Sequence, residues 1–203
     1  TGTLTKNEMT ATEMWVGDQL YQVSGTGYAP TGEIKFNGKK APLTDQLKLF
    51  VEAGYQANDT VLSENDGAWH INGEPTDGAF LTLYHKAYGP KHQSQYAEID
   101  LLPFDSDYRY IAELTENQES HEKVIFIKGS PDKLFEMAQK EDPSFDLAKW
   151  QQRVNDWSSA GKRVIAVGYQ PVPSNENLTE VEHEHLYQGI KFLGLAALLD
   201  APR

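Results

Sequence analysis

The chain has 203 residues, no cysteine and a formal net charge of −12. The lack of cysteine excludes disulfides, thiolate nucleophiles and cysteine-ligated metals, and it fits a reducing compartment. A chain this acidic is a poor non-specific partner for nucleic acid or anionic lipid. An apolar fraction of 39% at this length indicates one large globular domain, alone or with flanking pieces.

The first half of the chain predicts a loop followed by two helices. Glycine and proline content predicts a loop at 24–32. Apolar residues at the helical period predict a helix at 44–57. A second helix is predicted at 76–88, with Thr76 as its N-cap and Asp77 favourably placed at the positive end of the helix dipole.

The hydrophobic period changes to two in the second half, which predicts strands at 107–114 and 123–128 joined as an antiparallel hairpin. Ser130, as cap, and Pro131 predict the start of a third helix. The remaining predicted elements are a helix at 145–160, a strand at 163–169, a short helix at 178–187 and a strand at 190–199. Strands joined partly by hairpins and partly by helices predict an α+β fold, with a largely antiparallel twisted sheet flanked by helices.

Common catalytic and metal-binding templates fail on this sequence. Gly32 and Gly38 are separated by five residues rather than the four of a Walker A loop, and no GK[ST] triplet follows. His183 and His185 lie two positions apart, so on a helix they would not share a face. We therefore expect no metal ligands and no catalytic residues in this chain.

Cationic and aromatic side chains stand at the ends of several predicted elements. Lys128 ends a strand on its apolar face and must find an anion or reach water. Phe104 precedes a turn, where its ring can stack on a planar base. Arg163 begins a strand after a glycine turn. Each also has an ordinary explanation, because lysines snorkel, aromatic rings fill cores and arginines pair with surface carboxylates.

Six segments, in one order along the chain, resemble the signature motifs of the P-type ATPases. They are TGTLTKN at 1–7, GEPTDGA at 73–79, PFDSDYR at 103–109, KGSPD at 128–132, GKRVIA at 161–166 and LDAPR at 199–203. The set is similar to the nucleotide-binding (N) domain of the type II branch, which includes the calcium and sodium/potassium pumps and bacterial relatives.

The resemblance also implies a domain organisation. Residues 11–190 would form the N domain, 1–10 the end of a phosphorylation domain with its hinge, and 191–203 a return strand and second hinge. The chain begins without Met, and we expect both ends to be cut from a longer protein. The family's phosphorylated Asp would precede Thr1, so we expect no ATP turnover by this chain alone.

The resemblance implies nucleotide-binding roles for residues at the matching motif positions. They are Thr76, Asp77, Phe104, Arg109, Lys128, Gly129 and Arg163. Phe104 would stack on adenine, and Lys128 would lie on the pocket floor beside the base.

The other roles divide between the two ends of the nucleotide. Thr76 and Asp77 would lie at the adenine end, although Asp77 replaces the family's usual Glu. Arg163 and Arg109 would face the phosphates.

The implied ligands are ATP or ADP, with Mg²⁺ carried by the nucleotide. The implied partners are the phosphorylation and actuator domains of the same parent chain, at the cytoplasmic face of a membrane. We expect no nucleic-acid partner and a monomeric chain. Two alternatives stay open: a self-sufficient hydrolase or kinase, disfavoured by the missing phosphate loop, and an acidic module that docks a basic protein partner.

Overall fold

The computed structural model describes residues 5–202, with the side chains of residues 8–200. The first four residues and Arg203, which belong to the first and last motifs, therefore lie outside the described residues. Within them the strands are β1 (Thr5–Val16), β2 (Gln19–Val23), β3 (Ile34–Phe36), β4 (Lys39–Lys40), β5 (Val61–Asn65), β6 (Ala68–Asn72), β7 (Tyr96–Leu102), β8 (Tyr110–Asn117), β9 (Lys123–Gly129), β10 (Arg163–Pro171) and β11 (Lys191–Pro202). The α-helices are α1 (Asp45–Gln56), α2 (Pro75–Tyr88), α3 (Pro131–Glu141) and α4 (Leu147–Ser159), and a 3₁₀ helix spans His183–Tyr187.

Nine strands form one sheet in the order β4-β3-β2-β1-β11-β10-β9-β8-β7. Every neighbouring pair is antiparallel, which confirms the α+β prediction. The first and last strands lie side by side near the middle of this sheet. β5 and β6 form a separate two-stranded hairpin.

Helices cover both faces of the large sheet and create two cores. One core includes Leu47 and Phe50 of α1 with Phe80 of α2, and the other includes Leu134 of α3 and Trp150 of α4. Successive side chains of a strand point to opposite sides of the sheet. Because helices cover both sides, a strand between the two layers is apolar on both faces. β8 and β9, which carry the candidate site, therefore lie in a fully buried part of the sheet.

α1 and α2 pack closely because α1 has a glycine at their contact. A Cβ added at Gly54 would lie 2.2 Å from the ring of Phe80. α1 begins where it was predicted to begin, since the Thr44 hydroxyl accepts a hydrogen bond from the backbone of Leu47 at 3.2 Å. The close pair packs on one face of the large sheet, with α1 over β9 and β10 and α2 over β1.

The predicted β8–β9 hairpin, the third and fourth helices and the last two strands are confirmed within a few residues. Three other predictions were wrong. The N-cap of α2 is Glu74 rather than Thr76, because Pro75 occupies the first helical position and moves the helix start forward. The helix predicted at 178–187 is only the short 3₁₀ helix, after an irregular segment.

The third error concerns residues 107–109, which form a turn rather than the start of a strand. The Asp105 carboxylate accepts hydrogen bonds from the backbone of Asp107 at 2.7 Å and of Tyr108 at 3.4 Å. Arg109 has a φ of 64° and its N–H donates to the Asp105 carbonyl at 2.6 Å. An aspartate that captures its own backbone in this way favours a turn over the sheet ladder.

One arginine ties α4 to the turn between β1 and β2. The Arg153 guanidinium lies 3.8 Å from the ring centroid of Trp15 and 4.5 Å from that of Trp150. It also donates to the Gly17 carbonyl at 3.1 Å and to the Asp18 carboxylate at 3.0 Å. Planar stacking combined with two donors is a geometry that a lysine cannot reproduce.

Among the described helices, none combines the length and apolarity needed to cross a membrane.

Candidate functional site

A cavity of about 530 Å³ opens where the starts of α2 and α3 meet the end of β9 and the start of β10. Its size is typical of a small-molecule site. All seven residues of the predicted nucleotide site line it: Thr76, Asp77, Phe104, Arg109, Lys128, Gly129 and Arg163. Because helix N-termini carry partial positive charge, the starts of α2 and α3 favour an anion here.

The floor of the cavity holds a buried ion pair. Lys128 Nζ lies 2.7 Å from Asp77 Oδ1, with side-chain exposures of 3% and 11%. The ammonium also donates to the Gly54 carbonyl at 3.3 Å and lies 5.0 Å from the ring centroid of Phe80. Burial lowers the pKa of Lys128, and the charge and hydrogen bond of Asp77 oppose that lowering.

A second ionisable group lies behind the floor. Glu113 is 3% exposed, and burial raises its pKa to about 9, with a hydrogen bond and charge repulsion from Glu98 acting in the same direction and Lys128 acting against it. The carboxyl is therefore neutral near neutral pH. Lys128 thus has the Asp77 carboxylate as its ion-pair partner and is also influenced by the charge of Asp59, whereas the buried Glu113 carboxyl is protonated.

Gly129 brings two strands into close contact at the cavity edge. A Cβ added there would lie 2.5 Å from the Arg109 carbonyl oxygen and 2.5 Å from the Tyr110 Cβ. Any side chain at this position would push the end of β9 away from β8. The glycine is thus required by the strand pairing that places Lys128 and Arg109 at one opening.

Phe104 stands at the mouth of the cavity with 59% of its surface exposed. An exposed aromatic ring beside an apolar opening is a surface on which a planar ligand can stack. The turn that follows it at 105–109 carries Arg109, so one local structure presents both the ring and a cation.

A histidine in the segment predicted as a short helix at 178–187 holds this turn. The His183 ring stacks on Tyr108 with centroids 3.5 Å apart and planes 12° apart. Its Nδ1 lies 2.6 Å from the hydroxyl of Tyr110, whose side chain is fully buried. No spacing in the sequence signals this contact, because it joins the 3₁₀ helix to the start of β8.

Arg109 is held at the mouth by a neighbouring acid. Its guanidinium lies 2.7 Å from the Asp132 carboxylate, and both side chains are about half exposed, at 45% and 53%. Ser130 donates a short hydrogen bond to the same carboxylate instead of capping α3. Burial acts to raise the pKa of Asp132, but the hydrogen bonds from Ser130 and Arg109 outweigh it and lower that pKa. An exposed pair of this kind contributes about 0–1 kcal/mol, so a phosphate can compete for the arginine.

Arg163 points its guanidinium across the cavity to the start of α2. Its Nη1 donates to the Thr76 hydroxyl at 3.1 Å. Among the described residues, no carboxylate forms an ion pair with Arg163, in contrast with Lys128 and Arg109. The Thr76 side chain, predicted as a helix cap, therefore orients a cation instead.

Several lining residues were absent from the sequence prediction. Ile111, Val164 and Ile165 form apolar walls, and two exposed residues, Asp59 and Glu74, add carboxylates to the lining. The apolar residues gave no signal in the sequence, because their strands are apolar on both faces. In the described part of the chain, no three His, Asp or Glu side chains are placed to hold a metal ion.

Comparison with known proteins gives one family. Residues 46–203 match the model of the P-type ATPase cytoplasmic domain N. Over its whole length the chain is 31% identical to a calcium-transporting ATPase of Bacillus subtilis, 32% to the cation-transporting ATPase pma1 of Synechocystis and 30% to the human calcium-transporting ATPase type 2C member 1. It spans 24%, 24% and 22% of those proteins, about a quarter of their length. The chain therefore belongs to the P-type ATPases of the calcium-pump (type II) branch, as a cytoplasmic N domain.

Proposed function

We propose that this chain binds ATP in the 530 Å³ cavity and presents it to a phosphorylation-domain aspartate elsewhere in the same parent chain. One observation carries the proposal. An exposed aromatic ring, a buried ammonium and an arginine that has no carboxylate partner in the described part of the chain converge on a single opening in an otherwise acidic protein.

The adenine end lies between Phe104 and the start of α2. Phe104 stacks on the base, and the apolar walls exclude water from its other face. Asp77 is already engaged by Lys128 at 2.7 Å, so these two residues act as a fixed polar floor. A preformed floor of this kind reduces the ordering that binding would otherwise require.

The phosphate end lies toward the two arginines. Arg163 has no competing carboxylate among the described residues and is oriented by Thr76. Arg109 exchanges Asp132 for phosphate at little cost, because the existing pair is half exposed. Gly129 keeps the start of β8, and with it Arg109, close to the end of β9 at this opening.

Mg²⁺ would arrive with the nucleotide, since this ion commonly uses substrate phosphates and few protein carboxylates. Bound ATP supplies the phosphoryl group, while the residues here only bind and orient it. Turnover would need the phosphorylation domain, and the actuator domain would be the other partner. The parent chain would hold this domain at the cytoplasmic face of a membrane.

Calorimetric titration with ATP and adenosine tests the proposal. We expect weak binding of ATP, with a dissociation constant on the order of 1 mM, because other domains complete the phosphate site. Phe104→Ala should weaken both ligands by about five- to 150-fold, the equivalent of about 1–3 kcal/mol of stacking. Leu147→Ala is the matched control, since Leu147 is also an exposed apolar residue but does not line the cavity.

A second variant separates the two ends of the ligand. Arg163→Gln should weaken ATP while leaving adenosine unchanged, because the guanidinium would contact phosphate alone. If ATP binds equally well to all of these variants, or does not bind at millimolar concentrations, the proposal is wrong. A salt-sensitive protein partner without any nucleotide effect would then favour the acidic interaction module.

A further inference from the structure

A second cavity, of about 460 Å³, lies between the first turns of α1, the end of α2 and the start of β7. It shares no lining residue with the nucleotide cavity. Three rings line it, those of Tyr88, His92 and Tyr96. The His92 ring stacks on Tyr88 with centroids 4.4 Å apart and planes 12° apart, which gives the cavity a continuous aromatic wall.

A buried carboxylate also lines this cavity. Glu52 keeps only 8% of its surface exposed. Its Oε2 accepts hydrogen bonds from Gln56 Nε2 and Ser94 Oγ, each at 2.7 Å. Its Oε1 accepts none of the hydrogen bonds found in the described part of the chain. Two donors thus fix the side chain through one oxygen, and the other oxygen has no hydrogen-bond partner among the described residues.

The charge of Glu52 lacks a strong internal counterion. Burial raises the pKa of its carboxyl, the hydrogen bonds from Gln56 and Ser94 oppose that rise, and His92 opposes it further. No described lysine or arginine pairs with it. Lys48 lies one helical turn before Glu52 and lines the same cavity, yet it forms no ion pair there. A buried carboxylate without a cation gains from any cation that can enter.

The combination of aromatic rings and a carboxylate selects a particular ligand chemistry. Ring faces attract cations through their quadrupole, and a carboxylate accepts the N–H groups of an ammonium. An anion would meet Glu52 and Asp45, and the net charge of −12 favours cations over the whole surface. A bare metal ion lacks the required ligands, because no group of three suitable side chains exists among the described residues.

We propose that this second cavity binds a small organic ammonium, whose nitrogen pairs with Glu52 and whose methylene groups lie against the rings of Tyr88 and Tyr96. The proposal does not depend on nucleotide binding, since neither cavity shares a residue with the other.

Titration of the chain with n-butylammonium, followed in the ¹⁵N–¹H spectrum, tests this. Saturable shifts are expected at the backbone amides of Ser94 and Gln95, which lie beside the carboxylate and the cavity wall. 1-Butanol, the neutral molecule with the same number of non-hydrogen atoms, and butanoate, the anion with four carbons, should not produce them. Equal shifts with 1-butanol, or none with n-butylammonium, would overturn the proposal.

Three variants give the matched controls. Glu52→Gln keeps the side-chain size and should weaken n-butylammonium by about tenfold or more, since a hydrogen bond to a charged group is worth at least that factor. Tyr88→Leu should weaken it several-fold by removing a ring face. Lys48→Ala should strengthen it, because a competing positive charge is removed.

Two results decide between this site and a structural role of Glu52. An unchanged ATP titration and retained amide dispersion in Glu52→Gln would show that the fold is intact. If Lys48→Ala weakens n-butylammonium, or if Glu52→Gln and Tyr88→Leu both fold and bind it as the parent chain does, the assignment is wrong.

Discussion

Removing one partner of the buried ion pair in the cavity floor should destabilise the fold far more than replacing both partners by neutral residues. Lys128 and Asp77 are 2.7 Å apart with side-chain exposures of 3% and 11%. Removal of either charge therefore leaves the other charge buried without its partner. Loss of one partner of such a pair costs about 3–5 kcal/mol, whereas a neutral replacement of both is often nearly free. Lys128→Met should therefore destabilise the chain by about 3–5 kcal/mol, and the double change with Asp77→Asn by about 1 kcal/mol.

Urea unfolding of the parent chain, both single variants and the double variant measures this. With a slope of about 2–3 kcal/mol per molar urea, Lys128→Met should lower the midpoint by about 1–2 M. The double variant should recover most of that loss. If the effects of the two changes simply add, Lys128 and Asp77 do not stabilise each other and the reasoning from their geometry is refuted.

Three further predictions concern the surroundings of the site. Glu113 keeps its proton in the folded chain up to a pKa of about 9, whereas the unfolded chain releases it above its usual pKa of 4.5, so stability should fall as pH rises between these values. Between pH 6 and pH 8 the free energy of unfolding of the parent chain, measured by urea titration, should fall by about 3 kcal/mol more than that of Glu113→Gln. Equal decreases in the two chains would contradict the prediction. Gly129→Ala, whose Cβ would lie 2.5 Å from Tyr110, should destabilise the chain by about 1–3 kcal/mol in the same assay, and an unchanged midpoint would show that the strands can separate freely. Arg153→Lys should lower the melting temperature by about 2–4 °C, the equivalent of about 1 kcal/mol at this chain length, and a variant as stable as the parent would mean that the stacking on two tryptophan rings adds nothing.

The sequence correctly predicted those elements that a local hydrophobic period or a helix cap specifies. The α+β class, the helix at α1 and the β8–β9 hairpin follow from hydrophobic periods and helix caps. The seven candidate residues were chosen from motif positions, and the structure brings them around one cavity. Their roles in nucleotide binding stay a prediction, which the nucleotide titrations test.

Contacts between segments that lie far apart in the chain could not be predicted from the sequence. The pairing of Lys128 with Asp77 requires the start of α2 to lie beside the end of β9, and no local pattern specifies that approach. The stacking of His183 on Tyr108 likewise joins an irregular segment to a turn. Residues 107–109 of this turn were mistaken for the start of a strand because alternation alone does not reveal an aspartate that binds its own backbone.

Several strands of the first hundred residues were also missed. β2 alternates exposed and buried residues over only five positions, and β3 and β4 are shorter still. β5 and β6 form a mostly exposed hairpin, of which only the face with Leu62, Trp69 and Ile71 is half-buried. Such strands owe their conformation to pairing with neighbours rather than to their own composition.

The most direct test of the proposed function is the contact between the base and one ring. Intermolecular NOEs should be recorded between the adenine H2 and H8 protons of ATP and the side chains of the chain. We expect NOEs to the ring protons of Phe104, accompanied by amide shifts at Gly129 and Arg163. NOEs that are confined to residues outside this cavity would contradict the proposed site.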